Sequence, residues 1–175
     1  GAGTYLAGTE TLLIGLDAVG TPMTIQWTKN SEPIVGATQQ QLQLVNLAPS
    51  HAGRYAVTLR NAFGIENSNP VEINVHYSLT TTVAEREGTI EINPSLATYP
   101  PGTTVTLTAR PGGGLGYDEW EGDASGSAES VTLVMDDHKS VSIRYIADNQ
   151  PPTVAITSPK NGRFFSAPSD VVITA

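Results

Sequence analysis

The sequence predicts an all-β protein made of small domains arranged in tandem. Charged residues make up only 15% of the chain, compared with about 25% in typical globular proteins. Seventeen glycines and twelve prolines among 175 residues fall between short apolar runs and indicate turns. No stretch of helix length has its apolar residues at helical spacing. We therefore expect short strands, in units that are each large enough to bury a core.

Charge and residue usage exclude several classes of function. A formal net charge of −8 argues against a nucleic acid partner, because phosphate binding requires clustered lysine and arginine. No apolar run approaches the roughly 20 residues that span a bilayer, so we expect no membrane insertion in this segment. The chain has no cysteine, which removes disulfides and thiolate chemistry. We expect no cofactor, and the start at Gly1-Ala2-Gly3 favours an internal piece of a longer protein.

The first predicted unit is a sandwich over residues 1–77, in which apolar runs alternate with turns at the spacing of such folds. A turn at Gly20-Thr21-Pro22 separates its first two strands. The predicted strands are Thr11–Ala18, Thr24–Lys29, Gln41–Leu47, Gly53–Asn61 and Asn67–Val75.

The run His51–Val57 (HAGRYAV) resembles the D-x-G-x-Y-x-C signature of immunoglobulin domains, with valine in place of the second cysteine. The resemblance implies a tyrosine corner, in which the Tyr55 hydroxyl bonds to nearby backbone. Aligning Ala18-Val19-Gly20-Thr21-Pro22 with the C-x-A-x-G-x-P pattern of the family places Leu16 at the first cysteine position. Leu16 and Val57 would then meet across the sheets and pack against Trp27. His51 stands where the immunoglobulin signature usually has Asp. The salt bridge that this Asp commonly makes in immunoglobulin domains is therefore in doubt here.

The second predicted unit covers residues 78–147 and carries three motifs: YPPGTTVTLTA at Tyr99–Ala109, YDEWEGD at Tyr117–Asp123 and MDDHKSV at Met135–Val141. Together they resemble the divergent InlB B-type repeat of bacterial surface proteins. The resemblance implies that Trp120 is a core residue, and also Tyr117, which stands where the family usually has phenylalanine. Strict alternation of apolar residues and threonines from 103 to 110 independently predicts a half-buried strand.

The last part of the chain is predicted to be a linker, Asp148–Pro152, followed by the start of another module at residues 153–175. Residues 153–175 resemble the opening of a bacterial immunoglobulin-like module of the P-x-V-x-I-T-x-P-x-x-G type. Two strands alone are marginal in water, so we expect the parent chain to continue. The alternative is pairing with a sheet edge of a neighbour or a second copy, in which case Phe164 and Phe165 would mark a contact with another chain.

The carboxylates around Trp120 are the main candidates for chemistry. Glu119 and Glu121 share one face of a strand, and they lack the cleft in which glycosidase carboxylates face a substrate. We expect a solvated surface, with weak metal binding by Asp123 together with Asp136 and Asp137 as the alternative. His51, His76 and His138 have no metal-ligand spacing and are expected at the surface. The chain has neither a G-x-S-x-G elbow nor a phosphate loop, so we expect no enzymatic activity.

These observations predict a non-catalytic spacer in a larger bacterial protein, located outside the cell or on its surface. Such a segment would present other domains of the same chain or form part of a fibre, with other copies of itself or surface ligands as partners. The alternative is an adhesion module that binds carbohydrate or protein. It would use loops at one end of the first unit, namely Val19–Pro22, Lys29–Pro33 and Ala62–Glu66.

Overall fold

The computed structural model describes residues 2–20, 23–83 and 88–147, and it confirms an all-β fold. Within these residues the only helical element is a three-residue 3-10 turn, Pro49–His51. The predicted linker, the module at residues 153–175 and the pair Phe164 and Phe165 lie outside the described residues.

The described residues of the first unit form eight strands. One sheet has the order β1-β8-β6-β3-β4, with β7 also paired to β6, and β2 pairs with β5 in a second sheet. The strands are β1 (Ala2–Leu6), β2 (Thr11–Gly15), β3 (Thr24–Lys29), β4 (Glu32–Pro33), β5 (Gln41–Val45), β6 (Gly53–Asn61), β7 (Gly64–Asn67) and β8 (Val71–His76).

Over residues 78–83 and 88–147, the second unit has six strands in two three-stranded sheets of order β10-β11-β13 and β12-β14-β9. They are β9 (Leu79–Thr82), β10 (Gly88–Asn93), β11 (Thr104–Pro111), β12 (Leu115–Gly122), β13 (Ser130–Val134) and β14 (Lys139–Ala147).

The predicted strand Asn67–Val75 is wrong, because it is two strands, β7 and β8, separated by residues 68–70. Between these strands, Ser68 takes the place of a strand residue opposite Val57. The Ser68 Oγ accepts the Val57 N–H at 3.0 Å, and the Ser68 N–H donates to the Val57 carbonyl at 2.9 Å. Pro70 has no N–H to donate to a ladder. The same edge of β6 is therefore paired first by β7 and then by β8.

The core of the first unit surrounds Trp27, Tyr55 and Val57, which are only 2–3% exposed. The Tyr55 hydroxyl donates to the His51 carbonyl at 2.7 Å, the geometry of a tyrosine corner. The indole N–H of Trp27 donates to the Gln39 carbonyl at 2.9 Å. Leu16 is partly buried and packs against this same cluster, while its direct contact with Val57 stays a prediction.

The core of the second unit lies between its two sheets and includes Trp120, which is 3% exposed. Its indole N–H donates to the Ala128 carbonyl at 2.8 Å. Gly122 follows two residues later with φ +86°, and a Cβ there would lie 2.3 Å from the Ser140 carbonyl oxygen. Only glycine fits this close approach between β12 and β14.

A β-bulge in β12 brings two aromatic residues that are three positions apart, Tyr117 and Trp120, onto the same inward-facing side of the strand. Tyr117 pairs with Tyr145 and Trp120 pairs with Ile143, and the register shifts between Tyr117 and Glu119. In a regular strand, residues at odd spacing point to opposite faces, and the extra residue, Asp118, restores the alignment. The prediction that Tyr117 is a core residue is nevertheless wrong, since it is 40% exposed. It lies near the start of β12, beside the turn from β11.

Candidate functional site: the junction of the two units

The two units are joined by only two residues, Tyr77 and Ser78, between the end of β8 and the start of β9. The main chain of Tyr77 forms an antiparallel bridge with that of Tyr99. Tyr77 N–H donates to the Tyr99 carbonyl at 2.8 Å, and Tyr99 N–H donates back at 2.9 Å. Both side chains are buried, at 8% and 2% exposure. The connecting segment is thus part of the second unit's hydrogen-bonded core.

Tyr99 is in turn held by the loop that precedes it. Its hydroxyl donates to the Pro94 carbonyl at 3.1 Å and accepts the Leu96 N–H at 3.2 Å. One residue earlier, the Thr98 hydroxyl contacts Nδ1 of His76, the last residue of β8, at 3.0 Å. The segment 94–99 therefore contacts both the end of the first unit and the connecting residues.

His138, in the turn between β13 and β14, contacts both units. Its Nδ1 lies 3.0 Å from the Ser78 amide N and 2.7 Å from the Ser78 hydroxyl, and its Nε2 lies 2.9 Å from the Ala7 carbonyl oxygen. Because a backbone N–H can only donate, Nδ1 must accept, and Nε2 must carry the hydrogen that Ala7 accepts. The ring also meets Tyr77 edge-on at a centroid distance of 5.6 Å. The contacts thus select the neutral Nε2–H tautomer.

Two backbone hydrogen bonds close the junction on either side of His138. Lys139 N–H donates to the Ser78 carbonyl at 2.9 Å, and Ala7 N–H donates to the His76 carbonyl at 2.8 Å. Ala7 also packs against the cores of both units. The connecting residues are Tyr and Ser, and hydrogen bonds and aromatic packing hold this join.

The three histidines were expected at the surface, and the contacts that each of them makes were not predicted. His76 and His138 lie at the junction, and His51 accepts the Ala48 N–H at Nδ1, at 2.9 Å, next to the tyrosine corner. Only His138 is exposed, while the other two are half-buried. A single sequence gives no local signal for these contacts, because the partners of His138 are 60 and 131 residues away.

The acidic face of β12 is occupied by Arg144 of β14. The guanidinium lies 2.7 Å from Asp118 and 2.6 Å from Glu119, with Glu121 at 3.7 Å. The hydrogen bond that Arg144 donates to Asp118, reinforced by these negative charges, raises the pKa of Arg144 above its usual value. Glu119 and Glu121 therefore serve as an exposed ion-pair network around one arginine.

The three aspartates of the predicted alternative metal site each bind a protein donor. Asp123 accepts the Ser140 N–H at 2.7 Å, Asp136 pairs with Lys139 at 2.6 Å, and Asp137 accepts the His138 N–H at 2.7 Å. The hydrogen bond from Lys139 also lowers the pKa of Asp136. Over residues 2–20, 23–83 and 88–147, no group of three or more acidic or histidine side chains is placed to hold a metal ion.

The opposite end of the first unit carries an open cavity of about 450 Å³ beside Val19 and the predicted binding loop Ala62–Glu66. Thr21 and Pro22 of the other predicted loop at this end lie outside the described residues. Val19 and Phe63 are 95% exposed at this end. The cavity is lined by residues that include Asp17, Val19, Met23, Leu59, Arg60, Phe63, Ile65 and Glu66.

The third predicted loop, Lys29–Pro33, does not belong to this end. Thr24 of β3 pairs with Arg60 near the cavity, whereas Lys29 pairs with Tyr55 at the other end of the strand. Six residues of strand separate the two ends by about 17 Å, so the grouping of all three loops at one end is wrong. Lys29–Pro33 instead forms a tight hairpin, with Asn30 and Ser31 at φ +51° and +74°.

Comparison with known families gives a match for the second unit. Residues 77–149 match the family model of the divergent InlB B-repeat domain. This match confirms the resemblance that the three sequence motifs indicate, and its first residue is Tyr77 of the junction. The matched B-repeat region contains all six strands of the second unit.

Several solved structures that contain immunoglobulin domains match this chain at low identity. They include Sidekick-1 immunoglobulin domains 1–5 at 15% identity, covering 83% of this chain and 35% of that one, with a TM-score of 0.41. The N-terminal four domains of Dscam1 isoform 8.4 match at 11% identity over 81% of this chain and 41% of that one, with a TM-score of 0.39. An amphioxus IgVJ-C2 molecule matches at 12% identity over 82% of this chain and 98% of that one, with a TM-score of 0.38.

The chain thus spans well under half of the first two of these structures. No curated protein matches the sequence. Among the described residues, no helix is long and apolar enough to cross a membrane.

Proposed function

We propose that this segment is a stiff, non-catalytic spacer in a modular bacterial protein located outside the cell or on its surface. The observation that carries the proposal is the junction. Two connecting residues, the paired main chains of Tyr77 and Tyr99, and the contacts of His138 fix one unit against the other. Linked domains usually move relative to one another unless their interface is extensive, so a join of this kind indicates a role in holding distance and direction.

The family match supports the same proposal. The B-repeat region begins at the junction itself, and its carboxylates are bound to Arg144, Lys139 and backbone donors instead of facing a cleft. The partners we propose are the other domains of the same chain, which the segment would hold apart. Whether copies of the chain also associate into a fibre is a separate outcome that sedimentation at rising concentration reveals.

Distance measurements between spin labels test the spacer proposal. The chain has no cysteine, so Gln43→Cys and Thr132→Cys place one label at an exposed strand position in each unit. We expect a narrow distance distribution. The matched control carries a flexible Gly-Ser insertion between Tyr77 and Ser78, and it should give a broad distribution. A distribution in the uninserted chain as broad as that of the control would overturn the proposal.

The cavity at the far end of the first unit favours a second candidate function, the binding of carbohydrate or protein. Almost completely exposed Val19 and Phe63 beside a cavity are costly in water unless they contact something. A glycan array and pull-down with Phe63→Ser as the matched variant test this function. Binding that Phe63→Ser abolishes would support it, and equal results for both proteins would rule out this surface.

A further inference from the structure

We propose that the junction is a pH-dependent clasp, closed when His138 is neutral and loosened when it is protonated. The inference rests on the proposed spacer function and adds regulation to it. Its basis is the geometry of one ring that joins three segments: the turn between β13 and β14, the connecting residue Ser78, and Ala7 of the first unit.

The hydrogen-bond roles at the ring are compatible with only one protonation state. Nδ1 accepts the Ser78 N–H at 3.0 Å, and Nε2 donates to the Ala7 carbonyl at 2.9 Å. The imidazolium has a hydrogen on both nitrogens, so its Nδ1–H would point at the Ser78 N–H. The Ser78 hydroxyl, at 2.7 Å from Nδ1, can still accept from the charged ring. Protonation therefore costs the backbone hydrogen bond while the side-chain contact persists.

The ring of His138 can be protonated directly from solvent. His138 is exposed, so a proton can reach the ring without any opening of the structure. The ionisable groups around the ring are Tyr77 from the connecting segment, and Asp137 with the Asp136–Lys139 ion pair from its own turn. The turn of the first unit that contributes Ala7 has no ionisable side chain from Ala7 to Thr9.

The sign of the effect follows from these roles. The closed junction uses the neutral ring, so the clasp is complete while His138 is neutral and is weakened when the ring gains a proton as the pH falls. Loss of one hydrogen bond corresponds to about a three- to tenfold rise in the population of open junctions. The contact of the neighbouring His76 should persist in both protonation states. Its partner is the Thr98 hydroxyl, which can donate to the neutral ring and accept from the protonated ring.

Nitrogen-15 spectroscopy of the full chain tests the ring directly. At pH 8 we expect imidazole shifts of an Nε2–H tautomer for His138 and protection of the Ser78 amide from hydrogen exchange. At pH 5 we expect imidazolium shifts and a three- to tenfold loss of Ser78 protection. The opposite tautomer at pH 8, or unchanged protection after protonation, would overturn the proposal.

The spin-label pair at positions 43 and 132 reports the consequence for the junction. We expect the minor open fraction of the distribution to grow from pH 8 to pH 5 in the parent chain and in His76→Gln, and to be independent of pH in His138→Gln. Ser78→Ala removes the hydroxyl that accommodates the charged ring and should strengthen the response. An open fraction that is the same at both pH values would overturn the clasp and leave the spacer intact. A distribution that is broad at both would overturn the spacer itself.

Discussion

The main chains of Tyr77 and Tyr99 hydrogen-bond to each other in both directions, at 2.8 and 2.9 Å. Through this bridge the residue that leaves the first unit is already a member of the second unit's core. Since the direction of Tyr77 is fixed by buried packing as well as by hydrogen bonds, little backbone freedom remains at the join. The proposed stiffness of the segment would therefore depend on Tyr99 and on the loop that holds it.

Replacing Tyr99 by phenylalanine should weaken the second unit and the junction together. The substitution removes the donor to Pro94 and the acceptor of the Leu96 N–H, which we expect to cost about 1–2 kcal/mol of unfolding free energy. Hydrogen exchange should show reduced protection at Leu96 and Tyr77. Tyr145→Phe, which removes the hydroxyl that donates to the Thr89 carbonyl elsewhere in the same unit, is the matched control. Equal loss of protection at Tyr77 in both variants would contradict a specific role for Tyr99.

Tyr55 should make the first unit sensitive to alkali. Burial raises the pKa of its phenol above the usual 10, so the native state holds this proton more tightly than the unfolded chain does. The resulting contribution to stability is complete below pH 10 and is lost as the pH rises through the native pKa. Tyr55→Phe should be less stable at pH 7 by about 1 kcal/mol and should lose less stability above pH 10. Parallel loss of stability in both proteins across that range would contradict this account.

The absent disulfide of the first unit should be recoverable. If Leu16 and Val57 face each other in the core, the double variant Leu16→Cys and Val57→Cys will form a bridge on oxidation and gain about 2–4 kcal/mol. Urea unfolding with and without reductant measures the gain. Ile14→Cys with Val57→Cys is the matched control, because Ile14 of β2 lies two residues before Leu16 and is expected on the same face of the chain. Two free thiols in the first variant under oxidising conditions would show that Leu16 does not oppose Val57.

Calcium should leave the second unit unchanged. Asp123, Asp136 and Asp137 already accept hydrogen bonds from Ser140, Lys139 and His138, and calcium requires six to eight oxygen ligands. We expect the unfolding temperature to be the same with millimolar calcium as with an equal ionic strength of sodium chloride. A rise that is specific to calcium and lost in Asp123→Asn would establish the metal site that the contacts argue against.

The sequence predicted those strands whose signal is local. Strands Thr24–Lys29 and Gly53–Asn61 have the predicted bounds, because alternation and turn residues lie within each run. β1 was not predicted, since its parallel partner, β8, is some 70 residues away and five residues alone give little pattern.

Features that depend on distant partners were missed or misplaced for the same reason. The bulge at Asp118 leaves Tyr117 in the inner register but incompletely covered, and no residue-by-residue alternation reveals that. The role of His138 depends on Ala7 and Ser78, which come close only when both units are folded. The candidate site is thus a product of tertiary structure, whereas the fold class follows from local pattern.

Residual dipolar couplings of the full chain at pH 8 test the central claim most directly. Amide couplings from β3 and β6 in the first unit, and from β11 and β14 in the second, should fit one alignment tensor of a single magnitude and orientation. That result would show that the two units tumble as one stiff body. Two tensors of clearly different magnitude would show independent motion at the junction and contradict the account.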